Sequence, residues 1–554
     1  MSEFKNSFAE NVFRQKYARY LGQTWAQKAK EIVDDVCGRG SSGQHAHAIM
    51  APDEQRQLVQ YITEGKFYPG GRYIYYAGRK ASFWNNCYLL RAEADTREEW
   101  ANVMWRATSC LMVGGGIGVD YSLIRPEGRA LSRTGGISSG PLPLMQAVNN
   151  LGRQVMQGGS RRSAMYASLN WQHDDVPKFL TIKNWNEHHI GTSGQTYGTL
   201  KRHDFNFAAP LDMTNISLNY DDAWLNDKER ATNSTFVQNV AQALKTGEPG
   251  FSFNFGAQEN ETLRNACTEI TSEDDSDVCN LGSVNIGSIE SIDEFRQIVS
   301  LASKFLVCGT LRAELPYQKV ADVREINRRL GLGLMGIHEW LLKRKMSYEC
   351  TPELREWLKV YRDASEKSAN EHCDRLFLSR PRGYRAIAPT GTIGILAGTT
   401  TGIEPLLAVA YRRRYLAHGT RWQYEFVVDS VAQLLIERYG LDHTKIETAT
   451  DLAKDPERRI AMQAAVQEYV DHAISSTLNI PAWGSEHNNE DHILPTAKII
   501  AKYAGKLRGL TCYPDSSRGG QPITPVDYAE AIKHRGVVFE DNSEMACKEG
   551  VCGV

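Results

Sequence analysis

"RNACTEI", Arg264 to Ile270, sets an amide, a thiol and a carboxylate at alternate positions: Asn265, Cys267 and Glu269. In an extended chain successive side chains point to opposite faces, so these three project together while Ala266 and Thr268 point the other way. That makes a polar face, unlike the apolar face a core strand presents. Twelve residues past Cys267 comes Cys279, in "DVCNLGSVNI", and the intervening "TSEDDSD" is acidic enough to predict a solvated turn. Alone, the pattern is better read as a half-exposed strand that happens to carry one cysteine. The rest of the chain has to decide.

With 554 residues and 42% hydrophobic content, the chain can bury a large core, as several domains or as one large barrel with extensions. Lys and Arg number 64 against 66 Asp and Glu, a net charge of -2. No global basic field draws it to nucleic acid or to an acidic membrane surface, so any phosphate must be held locally. The start, "MSEFKNSFAENVFRQKYARYLGQ", has no apolar signal region, and no apolar run has the length of a membrane span, which predicts a cytoplasmic protein. Eleven cysteines, an odd number spread over a long chain, do not resemble a secreted disulfide framework. Most are expected as thiols, with a few left for redox work.

Residues 1–66 carry helical periodicity in "YARYLGQTWAQKAKEIVDDV" and "DEQRQLVQYITEG", with the loop "GRGSSGQHAHA" between them. From "FYPGGRYIYYAG" at 67 to about 520, short apolar segments alternate with helical ones, an α/β pattern. Asn170 to Asp222, rich in His, Asn, Asp and Gly, reads as loops with a few short elements. Residues 521–554 form a tail with one helical piece and an end too poor in apolar residues to dock firmly.

Five stretches invite chemistry. "GLGLMG", Gly331 to Gly336, fits the dinucleotide fingerprint, but the charged helical "VADVREINRRL" precedes it where a strand is required, so its glycines are expected to allow close helix packing. "APTGTIGILAGTTTGIEP" offers backbone amides and the hydroxyls of Thr390 and Thr392 to an anion, or is simply a tight turn. "VGGGIGVDYSLIRPEG" and "QGGSRRSA" pair glycine-permitted backbone with Arg125, Arg161 and Arg162, whose forks suit phosphates. "CKEGVC" places Cys547 and Cys552 on the tail. Two ligands do not make a zinc site, so no metal is expected, whereas a tethered dithiol suits thiol–disulfide exchange.

Taken in order, "NNCYLL" with Cys87, the glycine and arginine loops, "RNACTEI", "CNLGSVNI", "PTGTIG" and the terminal cysteine pair resemble the large catalytic subunit of ribonucleotide reductase, from about residue 67 to the C-terminus. The resemblance implies a ten-stranded α/β barrel of two five-stranded halves, with a finger loop through the middle and the radical cysteine at its tip. Cys267 matches the thiyl-radical position, Glu269 the base on the 3′ hydroxyl, and Asn265 the amide that orients the sugar. Cys87 and Cys279 match the pair that is oxidised as the 2′ hydroxyl leaves, and Cys547 and Cys552 the shuttle that reduces it. Thr390, Gly391, Thr392, Ile393 and Gly394 match the substrate-phosphate loop. Asp120, Arg125, Gly158, Gly159, Ser160, Arg161 and Arg162 fall in segments that resemble the specificity-effector side, where a deoxynucleotide or ATP would bind.

The stretch "LRGLTCYPDSSRGGQP" has Tyr513 between Cys512 and Pro514 and lacks the two adjacent tyrosines of metal-dependent members. The tail lacks both the glycyl-radical setting and the four-cysteine zinc site of another class. The likeness is greatest to the adenosylcobalamin-dependent, class II enzymes, which implies that cofactor, a thioredoxin- or glutaredoxin-like reductant and, without a long insertion between Cys87 and Cys267, a homodimer. The N-terminal region is too short for the family's ATP-cone, so no overall activity switch is expected. Two rivals are a nicotinamide-dependent oxidoreductase using "GLGLMG" and a non-catalytic nucleotide-binding relative.

Overall fold

The computed structural model describes residues 4–38, 49–132, 135–155, 163–191, 194–204, 207–417, 421–515 and 523–540. Strands β1 (Phe67–Pro69), β2 (Cys87–Arg91), β3 (Gly116–Asp120), β4 (Met165–Asn170), β5 (Thr214–Tyr220) and β6 (Gly250–Phe253) come first. The two-residue strands β7 (Leu263–Arg264) and β8 (Thr271–Ser272) follow, then β9 (Asp277–Asn285) and β10 (Leu330–Met335). After β11 (Ala410–Ala417) and β12 (Arg421–Val428) come β13 (Thr477–Ile480), β14 (Gly509–Pro514), β15 (Ile523–Pro525) and β16 (Val538–Glu540).

Ten of these strands form one sheet in the order β1-β9-β2-β3-β4-β5-β6-β14-β13, with β10 also on β9. Strands β2 to β6 are parallel throughout, as are β9 with β10 and β13 with β14. The two groups meet antiparallel where β2 lies on β9 and β6 on β14. Parallel neighbours require crossovers, which explains helices such as Arg97–Met112 between β2 and β3 and Leu142–Gln154 between β3 and β4. The regular ladders stop between β10 and β13. Single parallel bridges, Leu332 with Arg385 and Ile387 with Ile474, carry hydrogen bonding through residues 383–387 and 472–475, just ahead of β13. This is the α/β arrangement of ten strands in two opposed halves that the motifs imply.

The "GLGLMG" stretch is itself a strand, which corrects the expectation of glycines between packed helices. A Cβ on Gly331 would lie 2.4 Å from Leu281 Cδ2, and one on Gly333 2.6 Å from the Ala386 carbonyl oxygen, so both glycines let neighbouring strands approach. The segment from Asn170 to Asp222 also holds more order than its composition predicts. β5 is buried at Thr214, Ser217 and Asn219, and polar side chains satisfied by partners such as Ser168 hide its strand character.

The helices before residue 67 do not stand apart. Trp25 stacks on Tyr68 with ring centroids 5.5 Å apart, donates to the Ile62 carbonyl (2.9 Å), and belongs to the apolar cluster that contains Phe305 and Trp357 on helices Ile292–Arg312 and Pro352–Arg375. A second cluster packs helices against β2 to β6. Strands β15 and β16 flank the β11–β12 hairpin, so the first part of the tail, residues 523–540, docks on it, and the end of the tail lies outside the described residues. Main-chain pairing does this, together with Phe539 stacked on Tyr424 and Ala531 buried against Ala410 and Val428. Among the described residues no helix is long and apolar enough to cross a membrane.

Candidate active site

Residues 254–276, between β6 and β9, form a finger whose β7–β8 ladder pairs Leu263 with Ser272 and Arg264 with Thr271. The sequence clears its path. A Cβ on Gly118 of β3 would stand 1.7 Å from the Arg264 carbonyl oxygen, and one on Gly116 3.1 Å from Ala266 Cβ. Leu263 and Ile270 of the finger pack with Leu89 and Leu281 of the surrounding strands and with Ala386 and Ala388.

Polar anchors fix the finger's base. The buried Arg264 guanidinium donates to Asn254 Oδ1 (2.6 Å) and to the Arg508 carbonyl (3.1 Å). Glu261 faces Arg329 at 3.0 Å and Arg508 at 2.9 Å; burial pushes its pKa up, but the two guanidiniums outweigh this and hold it down at about 2. Thr262 donates to Asp120 Oδ2 at 2.6 Å, and Ser122 to Asp120 Oδ1. The Asp120 carboxylate, expected on the effector side, therefore also ties β3 to the finger. The acidic "TSEDDSD" is a turn, but not a solvated one. Asp275, Ser276 and Asp277 are buried, and Arg329 at 2.7 Å from Asp277 and Lys319 at 2.8 Å from Asp275 supply the paired charge that makes burial tolerable.

The tip departs from the extended form expected of "RNACTEI". Thr268 takes a left-handed backbone (φ 70°) and its N–H donates to the Asn265 carbonyl at 3.0 Å, so residues 265–268 turn. The Asn215 amide (3.4 Å to the Ala266 carbonyl) and the Ala473 N–H (2.8 Å to the Glu269 carbonyl) hold this turn from both halves of the sheet. Asn265 and Glu269 end fully buried. Asn265 Oδ1 accepts from the Ile270 N–H at 2.9 Å, while Asn265 Nδ2 and Glu269 Oε2 have no hydrogen-bond partner among the described residues. The Asn265 amide is near enough to pull on the Glu269 carboxyl but makes no hydrogen bond to it within normal geometry, so a buried donor and acceptor both remain open to a ligand. Burial raises the Glu269 carboxyl to about 7, against the opposing pull of its own backbone N–H and the Asn265 amide.

Cys87 and Cys279 stand directly opposite each other on antiparallel β2 and β9. Such partners have Cα atoms about 4.5–5.5 Å apart, inside the range of about 4.4–6.8 Å that a disulfide spans. Both are buried; burial, then the charges of Asp277 and Glu269, push the Cys279 thiol well above its usual range. The spot a Gly116 Cβ would occupy lies 3.3 Å from Cys87 Sγ as well as against Ala266, which puts the cysteine pair next to the finger tip.

A cavity of about 230 Å³ opens on Cys267 at the tip. Tyr166, Ser217, Glu248, Pro389, Ser475 and Tyr513 are among the residues around it, and the buried Tyr166 hydroxyl has no hydrogen-bond partner among the described residues. A larger cavity of about 490 Å³ shares Asn215 and Glu248 with it and is lined by Trp185, Trp483, Lys183 and Lys201. Sequence reasoning missed Lys183, Trp185, Lys201 and Trp483, which lie on the β4–β5 and β13–β14 connections and carry no local motif. Cys512, beside Tyr513, is buried and its thiol raised to about 12.

Thr390 precedes the short helix Gly391–Ala397 in a left-handed conformation (φ 50°), and its hydroxyl accepts from the Gly402 N–H at 2.9 Å, which leaves its O–H to donate. Pro389 joins this loop to the Cys267 cavity. Arg125 is ion-paired with Asp95. Gly158, Gly159, Ser160, Arg161, Arg162, Cys547 and Cys552 lie outside the described residues. No group of His, Cys, Asp or Glu among the described residues could hold a metal ion.

The chain matches the family model "Ribonucleotide reductase, barrel domain" over residues 85–209, 219–361 and 382–507. It is 25% identical to the vitamin B12-dependent ribonucleoside-diphosphate reductase of Mycobacterium tuberculosis (strain CDC 1551 / Oshkosh), covering 94% of this chain and 81% of that one. To the Thermoplasma acidophilum protein of the same name it is 26% identical, over 94% and 74% of the two chains. Among solved structures, the class Id ribonucleotide reductase alpha subunit of Actinobacillus ureae superposes with a TM-score of 0.66 over 92% of this chain and 97% of that one, at 15% identity, a likeness of fold.

Proposed function

The chain belongs to the ribonucleotide reductase barrel family, and from that premise we propose that it reduces ribonucleotides to 2′-deoxyribonucleotides by thiyl-radical chemistry at the finger tip, with adenosylcobalamin as radical source. One observation carries the reading: Asn265 Nδ2 and Glu269 Oε2, buried and unsatisfied, sit beside Cys267 and next to the opposed pair Cys87 and Cys279.

Cys267, as a thiyl radical, takes the 3′ hydrogen of the ribose and later returns it. Cys267 is half-buried at the mouth of the cavity, so bound ribonucleotide would have to cover it and keep solvent from that radical. Glu269, with a pKa of about 7, accepts the 3′ hydroxyl proton near neutral pH, and Asn265 donates to a sugar hydroxyl. Cys87 and Cys279 give up two hydrogens. The 2′ hydroxyl leaves as water, one C–H bond forms at C2′, and the two sulfurs close to a disulfide. The loop Thr390–Gly394 takes the substrate phosphates. Cys547 and Cys552 pass on reducing equivalents from a thioredoxin- or glutaredoxin-like protein. Deoxynucleotide or ATP effectors and a homodimer belong to the same proposal.

The two adjoining cavities, which share Asn215 and Glu248, would take a large cofactor. Trp185 and Trp483 would line the larger part of its site, and Tyr166, Ser217 and Ser475 the part nearest Cys267, where the buried Tyr166 hydroxyl lacks a hydrogen bond of normal geometry. Bound there, adenosylcobalamin supplies a one-electron oxidant for the Cys267 thiol. Relatives named as B12-dependent support this over a radical passed from a metal-containing subunit.

A single-turnover experiment tests the reading. Pre-reduced protein, mixed anaerobically with ribonucleotide and adenosylcobalamin but no external reductant, should form deoxynucleotide stoichiometrically, with a Cys87–Cys279 disulfide in the peptide map of a Cys547→Ser, Cys552→Ser variant. Product without that disulfide would contradict it.

A further inference from the structure

The helix that follows the phosphate loop is held at its far end by the very start of the chain. Lys5 Nζ donates to the Gly398 carbonyl, which caps helix Gly391–Ala397, at 3.2 Å, and lies 3.8 Å from Glu339. Glu339 is completely buried beneath that end, accepts from the Thr399 hydroxyl at 2.5 Å and pairs with Lys343 at 2.7 Å. A Cβ on Gly398 would come within 3.0 Å of Lys5 Cδ, so the lysine stem lies flat on the helix end.

Lys5 is placed there by its neighbours. Phe4 is buried against Phe13, ring centroids 5.3 Å apart, and near Trp25. Asn6 caps the helix Ser7–Lys16, accepting from the Ala9 N–H at 2.8 Å. With one neighbour sunk in an aromatic cluster and the other fixing a helix start, the segment crosses the end of the phosphate-loop helix as a strap. A cation suits that end, where unpaired carbonyls carry partial negative charge.

We infer that Lys5 is a positioning residue for substrate phosphate. Through Gly398, Thr399 and Glu339 the N-terminal strap fixes the helix whose first residues are Gly391 to Gly394, so loss of the strap loosens phosphate binding while the chemistry at Cys267 is untouched. The inference rests on the phosphate-loop reading.

The test is steady-state kinetics on the full-length holoenzyme. Lys5→Met should raise the ribonucleotide KM roughly two- to fivefold, the size expected for one cation at a helix C-terminus, with kcat unchanged. Lys5→Glu, which sets a carboxylate against Glu339, should raise it further, and Lys5→Arg should restore it. Thr392→Val, in the loop itself, serves as reference. If Thr392→Val raises KM and Lys5→Met and Lys5→Glu do not, the inference falls and the phosphate reading stands. If neither position affects KM, both fall. An effect of Lys5→Met on kcat alone would also overturn the inference, because a strap on the phosphate helix has no hold on the chemical step.

Discussion

Glu269 combines full burial, an unpaired carboxyl oxygen and a pKa of about 7. As a base it must be ionised, so kcat/KM is expected to rise with pH through about 7 and level off above it. Glu269→Gln should cost roughly 100-fold or more in kcat. The same shift has a stability sign. A carboxyl whose folded pKa is raised from 4.5 binds its proton more tightly when folded, so its contribution is present at low pH and lost as pH rises from 4.5 to 7. Thermal melts of Glu269→Gln and the parent should therefore diverge in the variant's favour across that window, by on the order of 3 kcal/mol at its upper end. A constant offset would mean the carboxyl is not buried as described. That Asn265, Cys267 and Glu269 would lie close together was legible in "RNACTEI", but their conformation was not. Alternation suggested a strand, whereas Thr268 turns the tip and long-range hydrogen bonds from Asn215 and Ala473, invisible to local pattern, hold it.

The finger is the element on which the site depends, and it exists because two glycines of β3 leave room for it. Gly118→Ala places a methyl 1.7 Å from the Arg264 carbonyl oxygen, a clash with backbone that cannot rotate away. It is expected to destabilise the protein by at least about 1–3 kcal/mol, as overpacking does, and to abolish reduction, whereas Gly128→Ala, in open space although at positive φ, should keep activity. Urea melts together with product assays distinguish the two. An active, stable Gly118→Ala would show that the finger does not pass β3 as described. In the sequence, "GGGIGVDY" looked like a phosphate-side loop, since glycine marks close approach without saying of what. The acidic turn misled for a related reason. Composition predicts exposure, but Arg329 and Lys319, about 50 residues away, neutralise it.

Across the whole molecule, the order of motifs implied two opposed five-stranded halves; the sheet has one parallel set of five, β2 to β6, and the parallel pairs β9 with β10 and β13 with β14 run against it, joined at β2/β9 and β6/β14. That pairing sets Cys87 opposite Cys279, a contact between positions 192 residues apart that no local periodicity could announce. The segment before residue 67 shares the core of the sheet and places Lys5 on the end of helix Gly391–Ala397, another link of long range. The most direct test of thiyl-radical reduction with adenosylcobalamin is an anaerobic assay of the purified chain alone, with CDP or CTP, dithiothreitol and adenosylcobalamin, beside Cys267→Ala. Deoxycytidine product that requires both the cobalamin and Cys267 is the expected result. Product formed by Cys267→Ala, or formed only when a second, metal-containing protein is added and regardless of the cobalamin, would contradict the account.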